Sequence, residues 1–284
     1  MAALPPLPRG QAPWRSAARA LCTWRSAESA DEIDAVNRSF GEQNLALHVG
    51  DEPDRVLANR RQLLETLPEV CSITWLNQVH GTTCAQITAA TVGDLAVQSH
   101  QDAFCADAAW TTQPGAALAV MSADCLPVLF SDRDASLVAV AHAGWRGLCA
   151  GVLPALLHQL PVAATELSAF IGPAISSACY EVGEEVVDAL NTSGIAPGGV
   201  VQKGQRPGKY QLDLAQAATQ QMRDLGVAEI VGGHWCTASQ RCFYSHRRYR
   251  QWVQTSAAVD APEHTGRQAC VVWLPPSVVG VCPV

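Results

Sequence analysis

Lysine is almost missing from this chain. Of its 19 basic side chains only Lys203 and Lys209 are lysine, and the rest are arginine. Schiff-base chemistry therefore has two candidates, and neither lies in an apolar run that would lower its pKa. Charge of either sign is sparse: 16% of the 284 residues are charged against 48% hydrophobic, a globular ratio rather than a disordered one. The balance is acidic, 26 Asp and Glu against 19 Lys and Arg for a net charge of −7, which argues against a nucleic-acid polymer as partner. No apolar run approaches the roughly 18 residues of a membrane span, and prolines and arginines interrupt Met1–Arg9 short of a signal peptide.

Several catalytic signatures are also absent. There is no His-Glu-x-x-His, which removes the common zinc proteases, and no His-x-Glu with Pro-Cys-x-x-Cys, which removes the usual zinc nucleobase deaminases. Neither Gly-x-Ser-x-Gly nor Gly-x-Gly-x-x-Gly occurs, and Gly204–Lys209 is one residue short of a phosphate loop. Cysteine, by contrast, is plentiful. The eleven cysteines have no Cys-x-x-Cys pair and cannot all pair within one chain. A chain this long needs no disulfide staples, so the expectation is a cytoplasmic protein with reduced, mostly buried thiols.

Residues 1–35 read as a partly irregular N-terminal extension with one early strand around Ala20–Trp24, and residues 36–284 as a single catalytic domain. Helices are expected at 53–66, 147–160, 183–190 and 214–225, the last capped by Asp213. Strands are expected at 73–76, 116–121, 137–141, 167–171, 230–232 and 269–274. Residues 193–208, rich in Gly and Pro, read as an excursion loop. Helices and strands mixed along the whole length imply an α/β or α+β fold.

Three polar strings interrupt apolar segments: Asn77-Gln78-Val79-His80-Gly81, Ser122-Ala123-Asp124-Cys125-Leu126-Pro127, and Ala141-His142-Ala143-Gly144-Trp145-Arg146-Gly147. Each follows a strand-like run, where open sheets build their sites. Singly, each His or Cys fits an ordinary buried side chain. Together, His80, Cys125 and His142 are imidazole and thiolate donors that suit zinc with a fourth position open, the pattern of a catalytic site. Spacings of 45 and 17 residues require the fold to assemble them. The Gly144–Gly147 turn either presents free N–H groups and Arg146 to an anion or is a tight turn with Arg146 solvated. Cys236 and Cys242 read as packing residues or as support for the site.

Two other chemistries fit some of these residues. His₂Cys holds one copper, but a multicopper oxidase needs many more histidines than the eight here, and there is no His-x-His pair. A metal-free hydrolase or amidase would use Cys125 as nucleophile and His142 as base.

The strings together resemble the laccase-domain family, which carries both the name multicopper polyphenol oxidase and that of purine nucleoside phosphorylase (YfiH-like). The resemblance rests on Ser39–Leu45, His48–Asp51, Asn59–Arg61, Asn77–Gly81, Ala123–Pro127, His142–Gly147, Ile171–Ile175, Cys179–Val182, Asp213-Leu214, Cys236-Thr237 and Phe243–Arg248, in order. His246 stands where the family usually has Tyr. The resemblance implies a single domain with mixed central β-sheets layered by helices, in a cysteine-hydrolase-like (CNF/YfiH-like) architecture. It implies one zinc, with copper as the other candidate, held by His80, Cys125 and His142. The implied activities are phosphorolysis of adenosine, inosine and S-methyl-5′-thioadenosine to free base and sugar 1-phosphate, and deamination of adenosine. Relatives described as cysteine hydrolases and peptidoglycan-editing factors keep the Cys125–His142 alternative open. On this reading the partners are a purine nucleoside and phosphate. Asp124 is the candidate proton shuttle if its side chain faces the site, Arg146 the candidate phosphate ligand, and Asn44, Arg61 and Gln78 the candidate nucleoside ligands.

Overall fold

The computed structural model describes residues 16–25, 39–89, 91, 103–256 and 261–276. In chain order the elements are β1 (Arg19–Cys22), α1 (Pro53–Glu65), β2 (Ser72–Asn77), β3 (Cys84–Ile87), β4 (Phe104–Cys105), β5 (Ala108–Thr111), β6 (Ala116–Ser122), β7 (Leu126–Asp132) and β8 (Val138–Ala143). They continue as α2 (Trp145–Ala150), α3 (Val152–Leu157), β9 (Leu167–Ile171), β10 (Glu181–Gly183), α4 (Glu184–Thr192), β11 (Val201–Lys203), β12 (Lys209–Leu212), α5 (Leu214–Asp224), β13 (Glu229–Gly232), α6 (His246–Ser256) and β14 (Gln268–Trp273).

Two mixed sheets carry the fold, ordered β1-β14-β6-β2-β4 and β13-β9-β7-β8-β5-β3, with a small third sheet β10-β12-β11. The central strands β6, β7, β8 and β14 are buried along their whole length, so β6, β8 and β14 read mainly as apolar runs rather than alternations, while β7 ends in the buried polar pair Ser131-Asp132. The period of two survives in where each side chain packs. Leu118 and Val120 of β6 join Leu129 of β7, Val138 and Val140 of β8 and Val272 of β14 between the sheets. Ala117 and Ala119 turn to the outer face with Trp75 and Trp273, beneath Phe40, Leu45 and Leu67. Val128 and Phe130 face the opposite way, toward Leu153, Leu156, Leu190 and Met222 of α3, α4 and α5. The result is two sheets face to face with helices on the outside, as a single α/β domain requires.

Most expected elements are present, within one to three residues of their expected ends. Asp213 caps α5 by accepting the Gln216 N–H at 2.8 Å. Three expectations are corrected. The helix expected over 147–160 is two short ones, because Gly151 takes φ 93° and ends the first with a left-handed residue. The 193–208 loop contains β11, which pairs with β12 across its Gly-rich turn. The thiols are neither all reduced nor mostly buried. Cys22 and Cys270 are disulfide-bonded across the antiparallel β1–β14 pair, and of the free cysteines among the described residues only Cys236 is buried. A short edge strand brings Cys22 directly opposite Cys270, with their Cα atoms 4.1 Å apart.

That bond closes a span of 248 residues. Replacing both cysteines by serine is expected to lower Tm by about 5–10 °C, the scale of a bond worth roughly 2–4 kcal/mol in a chain this long. Paired thermal melts of the oxidised wild type and the double variant check it. No helix among the described residues is long and apolar enough to cross a membrane.

Candidate metal centre

The three polar strings meet at one end of the sheets. β2 ends at Asn77 and runs into His80, β6 ends at Ser122 and turns through Cys125 into β7, and His142 is the penultimate residue of β8. The β7–β8 register places Pro127 opposite His142 and Leu126 opposite Ala143, so the turn holding Cys125 lies beside the end of β8. One ligand-type atom from each of His80, Cys125 and His142 lies within 4.8 Å of the other two. Cys125 Sγ is 3.7 Å from His80 Nε2, and the two imidazoles meet edge to face with centroids 4.8 Å apart. His142 is buried, Cys125 half-buried and His80 exposed, so the cluster opens to solvent on the His80 side.

The residue that fastens this arrangement is Asp107, which motif reading missed. It is fully buried, and its Oδ1 accepts the N–H of His142 Nδ1 at 2.8 Å and the backbone N–H of His80 at 2.9 Å. Its Oδ2 accepts the backbone N–H groups of Gly81 at 2.7 Å and Val79 at 3.1 Å. One carboxylate thus fixes the His142 tautomer, leaving Nε2 for the cluster, and holds the loop bearing His80. It also offsets the cost of His80's left-handed backbone, φ 60°. The available signal was a lone acidic residue, Asp107, among alanines at the head of β5.

Asp124, φ 97°, is the second strained residue here. Proton shuttling required its carboxylate to face the ligands. Instead Oδ1 accepts the Thr237 hydroxyl at 2.6 Å and Oδ2 the Arg247 N–H at 2.7 Å, while its carbonyl accepts the Ile175 N–H. The side chain secures the turn that presents Cys125. Gly144 permits that turn to sit close, since a Cβ there would lie 2.8 Å from Cys125 Sγ and 3.2 Å from His80 Cδ2.

The other expected residues divide. Gln78 bridges β2 to β6, donating to the Met121 carbonyl and accepting the Met121 N–H, both at 2.8 Å. Asn44 is buried and takes the Ala46 and Arg267 N–H groups while donating to Asp51, which ties residues 39–51 to the start of β14. Arg61 is exposed on α1, whose buried residues Val56 and Arg60 turn inward. Arg146 is exposed at the start of α2 with its guanidinium 4.4 Å over the Trp145 ring. Cys236 is buried and accepts the Ser176 N–H at 3.5 Å, while Cys242 is half-buried.

The electrostatics follow from this packing in the metal-free chain. Burial pushes the Cys125 thiol up, but the His142 charge and hydrogen bonds from His142 and His80 outweigh it and bring the thiol down to about 6. Burial pulls His142 down, yet the Cys125 charge and the Asp107 hydrogen bond carry it up to about 9. Between those values the pair is thiolate and imidazolium. Iodoacetamide labelling of chelator-treated protein is therefore expected to rise through a midpoint at about pH 6 at Cys125. An ordinary thiol rises near 8.5, and zinc should protect Cys125. Peptide mass mapping of the label across pH checks both.

A family model described as multi-copper polyphenol oxidoreductase laccase matches residues 31–275. The chain belongs to this family. A Pseudomonas aeruginosa relative named purine nucleoside phosphorylase is 39% identical over 83% of this chain and 87% of its own length. Escherichia coli YfiH, under the same name, is 38% identical over 81% of this chain and 86% of its own length. Among solved structures, a Neisseria meningitidis protein superposes with TM-score 0.75 at 33% identity, covering 91% of this chain and 95% of that one. YlmD of Geobacillus stearothermophilus does so with TM-score 0.75 at 30% identity, over 90% and 92%. For this member of the laccase family, the group of three or more metal-type donors found among the described residues is His80, Cys125 and His142. That set suits one ion and falls short of a multicopper cluster.

Proposed function

We propose that this chain is a zinc-dependent purine nucleoside phosphorylase that also deaminates adenosine, acting in the cytoplasm on adenosine, inosine and S-methyl-5′-thioadenosine. The observation that carries the reading is the His80–Cys125–His142 cluster, three donors closed by protein on one side and open to solvent on the other. The donor set fits zinc: two imidazoles and a thiolate whose ordinary pKa is already depressed, with His142 oriented by a buried carboxylate. Copper suits the same donors and is the second candidate. When bound, the metal supplies Lewis acidity and lowers the pKa of water. The chain's own residues do the rest: Asp107 holds two of the ligands, Asp124 and Gly144 bring Cys125 up to them, and Arg146, exposed at the start of α2, is a candidate to meet an anion. The relatives named purine nucleoside phosphorylase support a nucleoside as substrate.

The test is direct. Zinc-loaded protein with inosine and phosphate is expected to yield hypoxanthine and ribose 1-phosphate by chromatography, and with adenosine to yield adenine and inosine. Absence of phosphate-dependent hypoxanthine overturns the phosphorylase reading. A second reading draws on the line Cys125–His142–Asp107, a nucleophile, base and orienting carboxylate of the kind a cysteine hydrolase or amidase uses, as in peptidoglycan editing. Elemental analysis separates the two: about one zinc per chain favours the metal site, and a metal-free active protein inactivated by alkylation at Cys125 favours the hydrolase.

A further inference from the structure

Two arginines outside the ligand strings converge on the turn that carries Cys125. Gln268, the first residue of β14, stands opposite Ser122, the last of β6, and its Nε2 donates to Ser122 Oγ at 3.5 Å. Arg267 is therefore one step beyond that pair, level with the Ala123–Asp124 turn, where the Asn44 side chain fixes its backbone. Arg247, at the start of α6, is fixed to the same turn from another element, its N–H donating to Asp124 Oδ2.

Each guanidinium is half-buried and partly anchored. Arg247 donates from Nη1 to the Cys179 carbonyl at 3.3 Å and from Nη2 to the Glu181 carbonyl at 3.0 Å, and lies 5.4 Å over the Tyr180 ring. Arg267 donates from Nη1 to the carbonyls of Thr265 and Gly266. These anchors leave Nε of Arg247 and Nε and Nη2 of Arg267 unused. Neither arginine forms a salt bridge among the described residues. Of the carboxylates near them, Asp124 is already filled by the Thr237 hydroxyl and the Arg247 N–H, and Glu181, which feels the Arg247 charge, is paired with Arg206. Tyr180 feels the charges of Arg247, Arg146 and Cys125 together, and Arg267 those of Cys125 and Asp124, so these groups share one electrostatic neighbourhood. Two charged forks, held rigidly and short of counter-ions, suit a tetrahedral oxyanion.

We propose that Arg247 and Arg267 form the subsite for inorganic phosphate beside the metal centre. The assignment rests on the phosphorolysis reading above and moves the main anion contacts from the exposed Arg146 to these two anchored side chains. No bond changes at this subsite: it holds the phosphate, and the nucleoside must meet it there.

The experiment uses the zinc-loaded full chain and three readouts. In steady-state phosphorolysis of inosine, R247Q and R267Q are expected to raise the phosphate KM by about tenfold or more while the inosine KM stays within about twofold. R223Q, on the exposed end of α5, should change neither. Because both guanidiniums also hold main-chain carbonyls, R247K and R267K are run beside them, retaining charge but losing the fork. The wild-type chain is labelled with an arginine-directed dicarbonyl, with and without inorganic phosphate, and the protected residues are mapped by mass spectrometry. Protection at Arg247 and Arg267 together with the KM split supports the subsite. Phosphorolysis with an unchanged phosphate KM in the variants, or without protection at either arginine, overturns the subsite and leaves the reading above intact. Protection at both arginines with no phosphate-dependent base release overturns that reading and keeps the anion site. Neither protection nor release overturns both.

Discussion

Replacing Cys125 by alanine is expected to drop bound zinc from about one per chain to near zero and to cut phosphorolysis by at least about 10²–10³-fold. The thiol is the one anionic donor of the three, and the other two are neutral imidazoles when they bind metal. Its removal leaves two histidines, one on the loop after β2 and one at the end of β8, which is too few donors to close a tetrahedral site. The fold should survive. Cys125 is half-buried in a turn whose shape depends on Asp124, Ile175 and Thr237 rather than on the thiol. Elemental analysis, circular dichroism and the inosine assay on the same preparation check the three parts. Retained zinc in the Cys125→Ala protein would place the metal elsewhere and end the proposal. Cys125→Ser is the sharper variant, since a hydroxyl preserves volume but not thiolate character.

The grouping of His80, Cys125 and His142 was legible in the sequence because each sits in a polar string at the end of an apolar strand. Strand ends are where a two-sheet fold must leave side chains free. The strands themselves showed for the same reason: burial on both faces makes Ala116–Ser122 and Val138–Ala143 continuous apolar runs. The elements that escaped notice lack that signature. β7 carries Pro127 and a polar end, and α6 opens on three arginines among its first five residues and buries only Tyr249. Its apolar stripe is just Tyr249, Trp252 and Val253, too few positions to stand out as a helical period in the sequence.

The supporting residues were the least visible, and the cause is physical. Asp107 and Arg267 lie outside every recognisable string, and they, like Thr237 and Arg247 within theirs, act through hydrogen bonds and charge between positions far apart in the chain, a long-range register that local composition does not encode. Asn44 and Gln78 illustrate the converse. Their strings resemble family motifs, yet both are spent on main-chain N–H and C=O groups that hold loops to strand ends. A polar side chain in a recognisable motif serves the backbone as readily as a substrate. The cysteines made the same point. Counting them gave a compartment argument, while the β1–β14 register decided that Cys22 and Cys270 pair.

Asp107→Ala is expected to be the most destabilising single change at the site. The carboxylate receives four N–H groups, three from the His80 loop and one from His142. Deleting it strands them in the interior, a loss of about 3–5 kcal/mol on the scale of broken buried pairs. For a chain of this length that corresponds to a Tm lower by roughly 6–20 °C. Asp107→Asn keeps the shape and some acceptor capacity, so it should fold, with zinc affinity down by about 10–100-fold through the mis-set His142 tautomer. The pH dependence distinguishes charge from shape. Burial alone would raise the Asp107 pKa, but the His142 hydrogen bond, the Gly81 N–H, the His142 charge and the Val79 N–H hold it below the usual carboxylate range. A depressed folded-state pKa contributes stability in full above the unfolded value of about 3.9 and loses it as pH falls toward the folded one. The Tm gap between wild type and Asp107→Asn, measured without metal, should therefore be level between about pH 5 and 6, close below about pH 4, and narrow as pH rises toward about 9, where His142 gives up the proton that Asp107 helps it hold. A gap that persists unchanged into acid would mean that the carboxylate's charge contributes nothing. His142 would then be oriented by packing alone.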